Sequence, residues 1–256
     1  MKIVIIGGSG LIGTKLGKKL MEAGHQAASA SPKSGVNALT GEGLADVLKN
    51  AGVVVDVSNV PATLYGSDGA VMEFFKTSTS NLLRHEAAAG VKHHVVLSIV
   101  KCDELPENGY YRAKLAQEDL VRESSVPYTI VRSTQFFEFI GGIADAGTKG
   151  SQVRIAPVLF QPIAADDVAS AMARVSLDSP VNGTVDIAGP EVVRIDEFIR
   201  QNLKAVNDPR EVVTDPHARY FGSEVSERSL VPEEGAQLGQ THFADWRKRS
   251  TFQAHA

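Results

Sequence analysis

The stretch IVIIGGSGLIGTKL, residues 3–16, constrains the fold more than any other part of the chain. A β-branched run ends in glycines, and Leu16, Leu20 and Met21 then follow at helical spacing up to Gly24. This is a strand entering a helix through a tight turn. Gly7, Gly10 and Gly13 satisfy G-x-x-G-x-x-G, while Gly8, Gly10 and Gly13 satisfy G-x-G-x-x-G. Either match is weak by itself, but between a strand and a helix it has a physical meaning. Glycines permit close backbone approach, and the helix N-terminus offers N–H groups and positive dipole to a pyrophosphate. Gly7, Gly8, Ser9, Gly10, Leu11, Ile12 and Gly13 are therefore expected to cradle a dinucleotide. The alternative is a glycine turn used only for helix–sheet packing.

Strand and helix patterns go on alternating. HQAASAS reads as a second strand, GEGLADVLKNAG as a helix, and VVVDVS as a strand buried on both faces. A helix through Val71, Phe74, Phe75, Leu82 and Leu83 stops at Gly90, HHVVLSIV is a strand, Tyr110 to about Glu123 a helix, and YTIVR a strand. Such alternation implies right-handed crossovers and an α/β fold, a doubly wound parallel sheet of the Rossmann type. After about residue 133 the regularity weakens. A helix opened by Asp166 or Asp167, a strand at GTVDIAG and a helix with Ile195, Phe198, Ile199 and Leu203 inward are expected, with little pattern after Asp208. Ligands of open α/β sheets bind beyond the strands' carboxyl ends. The expectation is thus a single domain over residues 1–256, with residues from about 134 forming a small irregular substrate-side cap.

A formal charge of -4 with 22% charged residues lacks the basic excess of a nucleic-acid binder. The single cysteine, Cys102, excludes an internal disulfide and fits a reducing compartment. The histidines, the adjacent His93 and His94 included, show no paired metal-ligand spacing, so no metal is expected. The N-terminal apolar run is far shorter than a membrane span and reads as a buried strand of a cytoplasmic protein with no membrane partner.

An acidic residue at the end of the second strand would bind a free ribose 2′-hydroxyl, yet none lies between Glu22 and Glu42. Ser29, Ser31, Lys33 and Ser34 occupy that tip and suit a 2′-phosphate. NADP is preferred, and NAD stays open. Val57 and Ser58, at the end of the third strand, and Asn59 just after it are expected to line the cofactor groove. So are Thr134, Gln135 and Phe136, flanking the nicotinamide, although Phe137, Phe139 and Ile140 beside them equally suit a helix core.

The blocks GGSGLIG, NLLRHEAAAGVKHHVVLSIV, YYRAKLAQEDLVRESSVPYTIVRSTQF and QPIAADDVA together resemble the short-chain dehydrogenase/reductase superfamily. More narrowly, the chain resembles its atypical NmrA-like NAD(P)-binding branch. In the superfamily a strand-end serine, with a tyrosine and a lysine four apart on the next helix, forms the catalytic group. The matching positions are Ser98, Tyr110 and Lys114. The resemblance implies that Lys114 stabilises a Tyr110 phenolate and reaches the nicotinamide ribose, that Ser98 holds the substrate oxygen, and that Tyr110 moves the proton. An ordinary helix-surface pair and a local strand-end serine are the bland alternatives.

Two departures matter. The superfamily's Asn-Ala-Gly element is DVSNVP in this chain, and the Pro-Gly after the sixth strand is RSTQFFEF. Some NmrA-like relatives bind the dinucleotide without catalysis and act as redox sensors. The expected function is therefore NAD(P)H-dependent oxidoreduction of a small carbonyl or quinone-type substrate, with a non-catalytic sensor as the alternative. A third reading, an epimerase or a reductase of conjugated double bonds, makes the lysine more central than the tyrosine. A homo-oligomer and a regulated protein partner both stay open. Cys102 is expected to be an inert thiol, and Trp246 an anchor for the tail.

Overall fold

The computed structural model describes residues 1–253. β1 (Lys2–Ile6) is buried from Ile3 to Ile6, and it pairs in parallel with β2 (Gln26–Ala30) on one side and β3 (Ala51–Asp56) on the other. Between β1 and β2, α1 (Leu11–Glu22) buries Leu16 and Leu20, whereas Met21 is exposed and lies off the inward stripe. Ala23 caps this helix. Gly24 follows at φ +81°, a conformation that turns the chain back towards β2.

The helix expected over GEGLADVLKNAG shrinks to one turn, α2 (Leu44–Val47). Left-handed residues at Gly41, Gly43 and Asn50 bracket it, and buried Leu44 and Leu48 pin it to a core with Val4, Val54 and Leu82. Apolar spacing persisted there; the backbone on either side forbade a longer helix. α3 (Asp68–Ala89) starts at Ser67, which accepts from Ala70 N–H, and ends at left-handed Gly90. β4 (His93–Ile99), α4 (Gly109–Glu123) and β5 (Tyr128–Ser133) complete the regular alternation.

The remaining elements are α5 (Ile140–Ala146), β6 (Thr148–Lys149), β7 (Gln152–Ile155), β8 (Leu159–Phe160), α6 (Ala165–Leu177), β9 (Gly183–Ala188), β10 (Val193–Arg194), α7 (Ile195–Ala205), β11 (Glu211–Thr214), β12 (Gln237–Leu238) and α8 (Phe243–Gln253). The central sheet has seven strands in the order β12-β9-β5-β4-β3-β1-β2. This is the expected doubly wound α/β fold. The order reverses at β1, since β2 follows on one side and β3 on the other, and such a reversal opens a crevice at the strand ends.

Two compact units divide the chain. The first holds residues 1–99, 109–132 and 168–185; the second holds 100–108, 133–167 and 186 onward. Residues 168–185, which hold most of α6 and the start of β9, fall in the first unit. In the second unit β11, β7 and β6 form a three-stranded sheet, so the weakly patterned stretch after Asp208 contains a strand paired in parallel with β7. Ile195, Phe198, Ile199 and Leu203 of α7 are buried. Trp246 does anchor the tail: it packs on Phe137 and Phe243, and its indole N–H donates to Glu138 Oε1 at 3.1 Å. Glu138 also accepts from Ala165 N–H, so α6 begins at Ala165, with Asp166 and Asp167 inside its first turn.

No helix among the described residues is long and apolar enough to cross a membrane. Among those residues no cluster of three or more His, Cys, Asp or Glu could hold a metal ion.

Candidate functional site

In the first unit, register sets the geometry. Ile6 pairs with both Ala30 and Asp56, so the segments after β1, β2 and β3 leave the sheet at one level. The segment after β1 is the glycine loop. At Gly7 (φ +78°) an added Cβ would lie 2.8 Å from the backbone of Ser58, and at Gly13 it would lie 2.4 Å from Gly7 O and 2.6 Å from Gly8 Cα. No side chain fits there. α1 opens at Gly10 with no side-chain cap and no acidic residue in its first turn, which leaves the positive helix end for an external anion. Ser9, Gly10 and Leu11 are exposed, while Ile12 and Gly13 are buried and fix the loop to the sheet.

After β2 the chain makes a short turn, Pro32–Ser34, closed by left-handed Gly35. Ser34 Oγ accepts from Ser31 N–H at 3.0 Å and donates to Ser31 O at 2.9 Å, so this hydroxyl holds the turn. Ser31 is buried, while Lys33 at the turn's tip is exposed.

After β3, Ser58 N–H donates to Asp56 Oδ1 at 2.9 Å, fixing the backbone on which Gly7 rests. Ser58 Oγ is buried and has no hydrogen-bond partner among the described residues. An orphaned hydroxyl beside an uncapped helix start and a glycine cradle fits a phosphate-bearing ligand. Asn59 turns the other way. Its Oδ1 accepts from the Tyr110 hydroxyl at 2.8 Å and from Val60 N–H, while its Nδ2 donates to the Tyr65 hydroxyl.

Tyr110 and Lys114 lie one turn apart on α4 and meet at Phe75. The Tyr110 ring packs edge-on to Phe75 with centroids 5.7 Å apart, and Lys114 Nζ sits 4.7 Å above the same ring. Burial pushes the Tyr110 phenol well above its usual range, with Tyr65 and Tyr111 adding to the rise and the Asn59 hydrogen bond opposing it. Lys114, only 3% exposed, donates to Leu97 O at 2.8 Å and to Gln117 Oε1. Ser98 Oγ donates to Glu118 Oε1 at 2.5 Å. Burial pushes the Glu118 carboxyl up, but hydrogen bonds from Arg132, Ser98 and Arg122 outweigh it and hold the group below the usual carboxylate range.

Thr134, Gln135 and Phe136 belong to the second unit. Thr134 Oγ1 is buried without a hydrogen-bond partner among the described residues, Gln135 O accepts from Ile163 N–H, and the Phe136 ring stacks on Phe139 with centroids 5.5 Å apart. Phe137 and Ile140 are buried, whereas Phe139 is exposed.

Sequence reasoning passed over Asp56, Phe75 as a ring under the lysine, Gln117 and Glu118. Gln117 and Glu118 follow Lys114 by three and four residues, the one sequence signal that places them on its helical face.

A doubly wound sheet with a glycine-lined, uncapped helix at its reversal point defines a nucleotide-binding protein. The chain belongs to the NAD(P)H-binding family, whose model matches residues 7–179. Divinyl chlorophyllide a 8-vinyl-reductase of Oryza sativa subsp. indica, described as chloroplastic, is 28% identical over 73% of this chain and 54% of its own length. The Photosystem II assembly factor Ycf39 of a Synechocystis strain is 24% identical over 78% of this chain and 66% of its own. The chain thus spans about half the length of the reductase relatives it matches. Among solved structures, MoeE5 in complex with UDP-glucuronic acid and NAD aligns with a TM-score of 0.72 at 17% identity, covering 98% of this chain and 100% of that one. A dTDP-4-dehydrorhamnose reductase from Bacillus anthracis str. Ames, in complex with NADP, gives 0.66 at 14% identity over 96% and 92%. These likenesses establish the shared fold.

Proposed function

We propose that the protein is an NADP(H)-dependent reductase of a small carbonyl or quinone-type acceptor, of the short-chain dehydrogenase/reductase kind. The observation that carries this reading is the joint presence of an uncapped glycine-bounded helix start and a buried lysine on α4 sharing Phe75 with Tyr110. The uncapped helix start and Ser58 Oγ bind the diphosphate, and Lys33 takes the 2′-phosphate. Lys114 holds the nicotinamide ribose. The nicotinamide, when bound, supplies the hydride.

Tyr110 supplies the proton. A phenol is neutral at working pH, so Tyr110 acts as a donor and not as a base. That direction suits reduction, in which the substrate oxygen gains negative charge as its carbon takes the hydride and then takes the phenolic proton. The Lys114 ammonium lowers the cost of the phenolate left behind. Ser98 acts through Glu118: its short bond to that carboxylate ties the end of β4 to α4 and Arg132. The 8-vinyl-reductase relatives extend the acceptor panel to conjugated double bonds.

A second reading, a non-catalytic dinucleotide sensor, is favoured by one feature: both hydroxyls expected to serve the chemistry are donated to other side chains, Ser98 to Glu118 and Tyr110 to Asn59. An assembly factor among the relatives agrees with it. NADPH oxidation over aldehydes, ketones, quinones and vinyl-conjugated acceptors separates the two. Tyr110→Phe is expected to lower turnover by about 10²–10⁴-fold while NADPH affinity stays within about twofold. Tight NADPH binding with no turnover on any acceptor supports the sensor. Unchanged turnover in Tyr110→Phe removes the tyrosine from the chemistry.

A further inference from the structure

Buried behind Lys114 is a polar chain for which the reaction outlined above has no use. Gln117, 1% exposed, accepts from Lys114 Nζ with Oε1, and its Nε2 donates to Asp56 Oδ2 at 3.0 Å and to Thr79 Oγ1 at 3.1 Å. An ammonium only donates and a carboxylate only accepts, so the amide has one permitted orientation between them. Asp56, 2% exposed, uses its other oxygen to accept from Ser58 N–H, and the Ser58 backbone is the surface on which Gly7 closes. One carboxylate therefore fixes both the seat of the glycine loop and, through Gln117, the lysine.

We propose that Gln117, oriented by Asp56 and Thr79, is a positioning residue that sets the Lys114 ammonium and ties it to the turn beneath the glycine loop. The proposal rests on the reading of Lys114 as the group that holds the cofactor's ribose. An ammonium on a flexible four-carbon stem has many positions to lose on binding, and a fixed acceptor removes that cost beforehand. Leu97 O supplies a second fixed acceptor and the Phe75 ring a third boundary, so Gln117 is one of three groups that set where the ammonium sits. Position 117 lies three residues after 114 on α4, on the same helical face. Thr79 comes from α3 and Asp56 from β3, so three elements must be correctly packed for the lysine to be aimed.

The test is a fluorescence titration of the full-length protein with NADPH, in a cycle of Lys114→Met, Gln117→Met and the double variant. Lys114→Met is expected to weaken NADPH by about tenfold or more, and Gln117→Met by about fivefold. In the Lys114→Met background the Gln117 substitution is expected to change affinity by less than about twofold, because it has no lysine left to position. A purely structural role would lower the melting temperature and repeat its full loss of affinity in both backgrounds; that additivity overturns the proposal. Gln117→Met binding like the wild type while Lys114→Met loses affinity also overturns it, and leaves the Lys114 reading standing. Lys114→Met binding like the wild type removes that reading and the positioning role with it. Should Gln117→Met not fold, Thr79→Val removes one of the two acceptors that orient the amide and carries the same cycle. About a twofold loss is then expected with Lys114 present and none without it, and equal losses in the two backgrounds overturn the proposal.

Discussion

Lys33 carries the only charge in the turn that follows β2, and the two serines beside it are less available than their composition suggests. Ser34 spends its hydroxyl on the backbone of Ser31, and Ser31 itself is buried. In the proposed reading, discrimination between NADPH and NADH thus falls on one exposed ammonium. A charge-assisted hydrogen bond to a phosphate is worth about 1.5–3 kcal/mol. Lys33→Glu is therefore expected to weaken NADPH by about 10–100-fold and NADH by no more than about twofold, read as the two dissociation constants. Equal losses for both nucleotides would place the 2′-phosphate elsewhere. The missing acid after β2 was visible in the sequence, but the commitment of Ser34 was not, because a serine's partner depends on the turn it sits in. Ser98 is the sharper case. Its partner Glu118 lies on another element and twenty residues away, so only the packing of β4 against α4 reveals that the hydroxyl faces a carboxylate.

At the scale of elements, the strand–glycine–helix unit separates folding from binding. Gly13 sits where a Cβ would strike Gly7 O and Gly8 Cα, both backbone atoms that cannot swing aside. Gly13→Ala is expected to cost about 1–3 kcal/mol of stability and to lose NADPH binding with it. At Gly10 the nearest atom to a Cβ is Gly7 O at 3.3 Å, and φ is -82°, ordinary for any residue. Gly10→Ala is therefore expected to fold within about 0.5 kcal/mol of wild type. Its methyl group stands at the open helix end, where the proposed reading seats the diphosphate, so NADPH affinity is expected to fall by about tenfold or more. Thermal unfolding and nucleotide titration on both variants check this; a Gly10→Ala protein that binds NADPH normally would show that the anion does not rest at this helix start. The glycine spacing was legible because it is local. The aborted helix at Leu44–Val47 was misread for the complementary reason: its apolar spacing is local too, but the left-handed residues at Gly41, Gly43 and Asn50 appear only in the backbone.

Across the whole molecule, legibility follows contact distance. The alternation up to β5 could be read because most of its strands are buried apolar runs and α1 and α3 bury apolar residues at helical spacing, whereas β6, β8, β10 and β12 are two residues long and carry no period to detect. Stability as a function of pH depends on two adjacent buried histidines whose partners come from other elements. Burial, with the charge of His94 beside it, lowers His93 to about 4, while its ring bonds to Thr129 Oγ1. Its folded pKa lies below the unfolded value of about 6.5, so its contribution is present above pH 6.5 and is lost as pH falls towards 4, on the order of 3 kcal/mol when complete. His94 behaves oppositely. Burial alone would lower it, but the Glu86 carboxylate at 2.9 Å outweighs burial and raises it. That contribution is present below about pH 6.5 and is lost as pH rises through the raised value. Thermal unfolding from pH 4 to 9 is thus expected to show a maximum with an acid and an alkaline limb. His93→Gln should flatten the acid limb and leave the alkaline one. Replacing Glu86 and His94 together by leucine should flatten the alkaline limb without the penalty of an unpaired buried charge. If the melting temperatures of wild type and His93→Gln run parallel between pH 4 and 6.5, the buried imidazole is not the source of acid sensitivity.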